Sequence, residues 1–222
     1  MIIRRLSADP EPDLKSIDDL PALPLAPGFK QEGRRQLITL LQAGLSPDSL
    51  LLDIGCGWLR GGYWFIHFLN AGGYHGIEPW EARLEFGRHS ILPPEILAGK
   101  QPRFSGNEDY DFTEFGRETF DFFFASSIWS HCSKQAIDRM LSQAARHSHQ
   151  ESLFITSCWR ATATHPDHAE DRWLGKNKDD GQGVTKVHHD FDKLRKMAAG
   201  HGFGMQDLYP NRSYSWLKFS RL

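Results

Sequence analysis

The apolar positions of the chain alternate between two rhythms. From about Gly33, the residues Leu37, Ile38, Leu40, Leu41 and Leu45 recur at helical spacing, and Gly44 stands where a C-terminal cap would. The run Ser49-Leu50-Leu51-Leu52-Asp53-Ile54 is instead continuous and short, the pattern of a strand buried on both faces of a parallel sheet. Residues 58 to 70 then predict a helix, Tyr74 to Glu78 a second strand, and Glu81 to about Ser90 a second crossover helix. Between residues 93 and 116 the pattern is weaker, with a strand placed around Arg103 to Ser105. Phe120 to Ala125, reading Phe-Asp-Phe-Phe-Phe-Ala, predicts a further strand. Ser133 is positioned to cap a helix carrying Ala136, Ile137, Met140, Leu141 and Ala144. Leu153 to Thr156 predicts another strand, and Asp190 to about Ala199 a last helix with Phe191, Leu194 and Ala198 on one face. Gly200 or Gly202 closes that helix, and strands near Met205 to Leu208 and Tyr214 to Ser220 complete the chain.

Strands alternating with helices imply an α/β fold, because right-handed crossovers put helices on both faces of a parallel sheet. The expectation is a Rossmann-like, doubly wound, mixed seven-stranded sheet. Its ligand would lie across the carboxyl ends of the strands, where the winding direction switches. Two segments break the rhythm. Residues 1 to 29 carry Pro10, Pro12, Pro21, Pro24 and Pro27 among acids, which reads as an arm or lid. Residues 158 to 189 form a long polar stretch, read as a substrate-side insertion in a domain spanning 30 to 222.

Composition narrows the function classes. At 222 residues the chain suits one large domain, and a formal charge of -2 supplies no positive field for a phosphate backbone, which disfavours a nucleic-acid partner. Cys56, Cys132 and Cys158 lie far apart with no CxxC pair, so no disulfide framework or thiolate metal site is expected, and a reducing, cytoplasmic setting fits. No stretch approaches the roughly 18 continuous apolar residues of a membrane span. The first residues lack the apolar core of a secretory signal. A metal is not expected either, since His165 and His168 with Asp167 and Asp171 match no firm ligand spacing.

The chemistry concentrates in Leu52-Asp53-Ile54-Gly55-Cys56-Gly57, at the junction of the first strand and the following helix. Gly55 and Gly57 let the backbone turn sharply and approach a ligand without a Cβ in the way, while Cys56 takes a small buried position. Twenty-one positions beyond Gly57, at the tip of the second strand, Glu78 can accept hydrogen bonds from both hydroxyls of a ribose. A glycine turn with a distant acid suits an adenosine-bearing ligand. A dinucleotide would need GxGxxG, and Arg60 stands at the last glycine position, which argues against a nucleotide-linked oxidoreductase.

On these residues the chain resembles the class I S-adenosylmethionine-dependent methyltransferases. LLDIGCG is similar to their first motif, which places Asp53 near the methionine end and the turn from Gly55 to Gly57 beneath the cofactor. GIEPW is similar to their second motif, implying ribose binding by Glu78. The run Asn107-Glu108-Asp109-Tyr110-Asp111-Phe112 stands where the family puts an acid on the adenine amine and an apolar residue on its ring, which implicates Asp109 and Tyr110. The segment from Phe120 to His131 resembles the fourth strand and the approach to the active site, bringing Ser126 to the cofactor. Leu59 replaces a common third glycine of the first motif, and the Asn/Asp-Pro-Pro-aromatic signature of nucleic-acid amino methyltransferases does not follow the fourth strand. The resemblance therefore implies O- or N-methylation of a small-molecule acceptor, with S-adenosylmethionine as cofactor; a binding protein without catalysis, acting as a sensor or partner subunit, is the alternative. His131 is the candidate general base, because imidazole titrates near neutrality. His165, His168, His188 and His189 stand in reserve, and Trp129, Trp159 and Trp173 are candidate walls for an apolar or aromatic acceptor. Oligomeric state is not legible in the sequence.

Overall fold

Eight strands form one sheet in the computed structural model, which describes residues 28 to 116, 118 to 169 and 186 to 222. They are β1 (Leu51–Ile54), β2 (Tyr74–Ile77), β3 (Arg103–Ser105), β4 (Phe120–Ala125), β5 (Ser148–Arg160), β6 (His188–His189), β7 (Phe203–Asp207) and β8 (Tyr214–Arg221). The spatial order is β3-β2-β1-β4-β5-β8-β7, and the two-residue β6 adds itself to β5 alone. β1 to β6 pair in parallel, whereas β8 runs antiparallel to both β5 and β7. From β1 the chain winds outward to β2 and β3, then returns to β4 on the other side of β1. The carboxyl ends of β1 and β4 thus flank the switch point, where open α/β sheets keep their ligands. Most of the proposed N-terminal arm, and Asp171 and Trp173 of the insertion, lie outside the described residues.

The helices are α1 (Phe29–Gln42), α2 (Gly62–Phe68), α3 (Glu81–Phe86), α4 (Pro94–Lys100), α5 (Lys134–Arg146) and α6 (Phe191–Gly200). Strand alternation divides the core into two. Leu52, Ile54, Phe123 and Ala125 face α5 and α6, meeting Ile137, Met140, Leu141, Leu194 and Ala198. Leu51, Phe122 and Phe124 face the other way, onto Leu40 of α1, Phe65 and Ile66 of α2 and Leu84 of α3. Each fully buried phenylalanine or leucine contributes about 1.5 to 3 kcal/mol of transfer free energy, so β4, with four phenylalanines shared between the two cores, is the spine of the domain.

The ends of the elements follow local chemistry. Ser133 caps α5 through the N–H of Ala136, and the Asp190 carboxylate caps α6 through the N–H groups of Asp192 and Lys193. α2 starts later than the apolar spacing implies, because residues 58 to 61 form a turn in which Leu59 takes a positive φ of 58°. α3 continues as a π-helical turn over Gly87–Ile91. α4 fills part of the weakly patterned region, and β5 begins five residues before its apolar run and continues to Arg160.

Candidate active site

The glycine turn and the acid at the tip of β2 are joined directly. Gly55 and Cys56 donate their N–H groups to the carbonyl of Ile77 at 2.8 and 3.0 Å, drawing the turn onto the end of β2. Glu78 follows Ile77, and its Oε2 accepts the Gly57 N–H at 2.9 Å while its Oε1 accepts the Trp80 N–H at 3.0 Å. Gly55 and Gly57 both have positive φ, 72° and 57°, where a side chain would be strained. A Cβ on Gly55 would lie 2.1 Å from Cδ1 of Ile128, so the segment after β4 packs directly on the turn. Glu78 is only 5% exposed. Burial raises its pKa, and the N–H groups of Trp80 and Gly57, with Arg83, oppose that rise. A carboxylate has about four lone-pair sites, and two are taken by backbone N–H groups; the rest remain for a ligand. Beside it the Trp80 ring is 42% exposed, with the Arg83 guanidinium 4.2 Å from its centroid.

Asp53 lies beneath the turn rather than on it. Its Oδ2 accepts the Tyr74 hydroxyl at 2.8 Å, and burial pushes its pKa up to about 7 against the pull of that hydrogen bond. Cys56 is buried against Gly76, and burial drives its thiol well above the ordinary range, so it takes the small buried position expected of it. Nothing in the sequence marks Tyr74 for this role, because a tyrosine opposite a buried acid one strand away carries no local signal.

The turn after β4 closes the other side. Ser126 Oγ accepts from Gln36 Nε2 of α1 at 2.9 Å, a contact ninety positions apart in sequence. Gln36 is buried, and its Oε1 would lie 2.2 Å from a Cβ on Gly61, so α1 straps the glycine loop to the end of β4. Gly33 lets this happen: a Cβ there would sit 2.0 Å from the Arg60 carbonyl oxygen. His131 ends the same turn, half-buried, with its N–H on the Ile128 carbonyl at 3.0 Å. Trp129 has 0% exposure and packs on Phe154 and Phe219, so it is a core residue and cannot wall an acceptor.

The run from Asn107 to Phe112 forms a tight loop held by its own side chains. Asn107 bonds Ser105 Oγ and both backbone groups of Asp111, while Asp111 accepts from the Thr113 N–H and its pKa is lowered by Thr113. Tyr110, at φ 56°, turns its ring inward with its hydroxyl 3.8 Å from Cys132 Sγ, and burial raises its pKa. Asp109 points outward, 83% exposed, with Arg139 at 3.3 Å. Of the insertion histidines, His189 is buried with Nε2 donating to the Trp129 carbonyl at 2.8 Å, and burial brings its pKa down to about 4. His165 stacks on His188 at 4.6 Å, and His168 is half-buried beside them. Near these histidines Asp167 bridges Lys134 and Lys193. Burial would raise its pKa, but the two lysines and the Asp190 N–H bring it down to about 2.

No protein-family model matches the chain, and no curated sequence does. Solved structures do. Magnesium protoporphyrin IX methyltransferase from Synechocystis, solved with S-adenosylhomocysteine, superposes with a TM-score of 0.60 over 88% of this chain and 84% of that one, at 19% identity. DesVI of Streptomyces venezuelae gives 0.63 over 90% and 94% at 16% identity. The CcbJ methyltransferase of Streptomyces caelestis gives 0.59 over 88% and 90%, also at 16% identity. The fold is that of the class I methyltransferases. In that methyltransferase fold the Glu78 carboxylate and the turn from Gly55 to Gly57 occupy the carboxyl ends of β2 and β1, and Ser126 and His131 follow β4. The donor set suits an adenosine: a buried carboxylate with lone pairs left over, a turn that presents no Cβ at Gly57, and aromatic surface at Trp80.

Proposed function

We propose that the protein is an S-adenosylmethionine-dependent methyltransferase that methylates oxygen or nitrogen of a small-molecule acceptor. The observation that carries this reading is the buried Glu78 carboxylate, held by the Gly57 and Trp80 N–H groups at the switch point of a methyltransferase fold. S-adenosylmethionine supplies a methyl group already activated on a sulfonium. The chain's part is therefore to bind, orient and, where needed, take a proton. Glu78 receives the ribose hydroxyls, and the backbone of Gly55, Cys56 and Gly57 lies beneath the cofactor. Tyr110 and Asp109 stand on the adenine side, while Asp53 and Ser126 fix the methionine side through Tyr74 and Gln36. His131, at the mouth of the turn after β4, is the proposed base. A small-molecule acceptor is supported by the protoporphyrin methyltransferase among the structural neighbours and by the chain's lack of net positive charge.

Two measurements test the reading in sequence. Isothermal titration calorimetry with S-adenosylmethionine and S-adenosylhomocysteine reads cofactor binding, and mass spectrometry of incubations with metabolite extracts reads formation of S-adenosylhomocysteine and of a product heavier by one methylene. Absence of cofactor binding overturns the assignment. Binding without product across broad acceptor panels replaces the enzyme with a cofactor-binding sensor.

A further inference from the structure

The carboxyl ends of β4, β5 and β6 and the start of β8 gather side chains that cofactor binding does not use. The Tyr214 hydroxyl donates to Ser157 Oγ at 2.7 Å and lies 3.1 Å from Ser127 Oγ. The Ser127 N–H donates to the same Ser157 Oγ at 2.9 Å. Ser127 holds a φ of 60°, a left-handed conformation that costs a non-glycine residue and that this network fixes in place. Its neighbour Ile128 rests on Gly55, so the hydroxyl cluster starts at the residue before the one that packs on the glycine turn.

Beyond the hydroxyls stand rings. Trp159 pairs across the sheet with Tyr214, and their centroids are 4.8 Å apart. The His188 ring lies 5.8 Å from Trp159 on its other neighbour strand, and Lys186 Nζ is 4.8 Å from the Trp159 centroid. Trp159, Tyr214 and His188 are half-buried and Lys186 is exposed, so the rings form a wall with solvent on one side. The positive charge on this wall is the Lys186 ammonium; burial lowers the pKa of His188, which leaves that ring the neutral form beside it.

From this placement we propose that these residues form the acceptor subsite, and that the acceptor is an anionic aromatic compound bearing a ring hydroxyl. Its ring lies against Trp159 and Tyr214, its negative group faces Lys186, and its hydroxyl meets the cluster of Ser127, Ser157 and Tyr214. The inference rests on the methyltransferase reading and narrows it to oxygen acceptors.

The test is a calorimetric titration of the full chain, saturated with S-adenosylhomocysteine, with 4-hydroxybenzoate, and with cyclohexanecarboxylate and benzylamine as non-aromatic and cationic controls. 4-Hydroxybenzoate is expected to bind about tenfold more tightly than either control. Trp159→Leu and the surface change Lys186→Gln are each expected to weaken it about fivefold or more while leaving affinity for S-adenosylhomocysteine unchanged. Because Lys186 is exposed, its variant keeps the test valid should Trp159→Leu fail to fold. No binding of 4-hydroxybenzoate up to about 10 mM, equal affinity for the three probes, or an unaffected Lys186→Gln variant would each overturn the proposal. S-adenosylhomocysteine titrated alone separates the two levels. If it binds and the aromatic acid does not, only the subsite fails; if it does not bind, the methyltransferase reading fails and takes the subsite with it.

Discussion

Replacing Glu78 with glutamine removes the charge at the switch point while preserving side-chain shape. In the native protein each carboxylate oxygen accepts one backbone N–H, from Gly57 and from Trp80. An amide keeps one oxygen for one of them and turns an NH2 group toward the other. Hydrogen bonds to a charged group contribute about 1.5 to 3 kcal/mol each, so the loss of one would be costly on its own. Burial, however, already disfavours the ionised Glu78, and removing the charge relieves that opposing cost. The two effects offset, and the expected change in folding stability is about 1 kcal/mol or less. Ligand binding has no such compensation. On the proposed ribose assignment one hydroxyl would lose a charge-assisted acceptor, which corresponds to roughly 10- to 100-fold weaker binding of S-adenosylhomocysteine. Calorimetry at pH 8 measures the affinity, and thermal melting of the unliganded variant measures the fold. Affinity within about twofold of the native protein, with an intact melt, would refute the ribose assignment.

Asp53 predicts a pH dependence of stability. Its folded pKa near 7 lies above the ordinary 3.8, so between these values the folded state binds more protons than the unfolded one and stability falls as pH rises, by about 4 kcal/mol in all. Asp53→Asn keeps an acceptor for Tyr74 and should flatten that slope in urea titrations at pH 5 and pH 8; parallel slopes for both proteins would contradict the burial argument. Gly33→Ala drives a Cβ into the Arg60 carbonyl and is expected to lower stability by about 1 to 3 kcal/mol, read as a shift in the urea midpoint. Ser133→Ala removes the cap on α5 and should cost about 1 kcal/mol by the same measurement. His131→Ala should reduce turnover at least about tenfold with S-adenosylhomocysteine affinity unchanged; equal turnover would remove it as the base.

What the sequence disclosed is local. The continuous apolar run of β1, the glycines that end it, the four phenylalanines of β4 and the Ser133 cap are each written within a few residues, and each stands where the pattern puts it. Glu78 was legible because the interval from Gly57 is set by one crossover, although its grip on the Gly57 N–H was not. α4 escaped because its seven residues span barely two turns, with only the adjacent Ile96 and Leu97 packed on the core, too few apolar positions for a helical period to show. β5 reaches back to Ser148 through polar residues that pair with β4 at its edge, and β6 is two residues long, below any period that hydrophobicity can show. The partnerships of Asp53 with Tyr74 and of Ser126 with Gln36 depend on which strands and helices become neighbours, information that exists only after the chain has folded. Trp129 is the converse case: a large aromatic beside the turn after β4 suits a core as well as a wall, and here the core claims it completely.

Through Gly33 the first helix lies backbone against backbone on the glycine loop at Arg60, and through Gln36 it holds the turn after β4, the far bank of the crevice, as well. A displacement of that helix by a single ångström would loosen both banks at once. Grafting a foreign leader or swapping this region between homologues therefore alters occupancy of the crevice even when no ligand-contacting residue is changed, and chimaeras intended to redirect specificity should carry residues 28 to 43 with the sheet they brace.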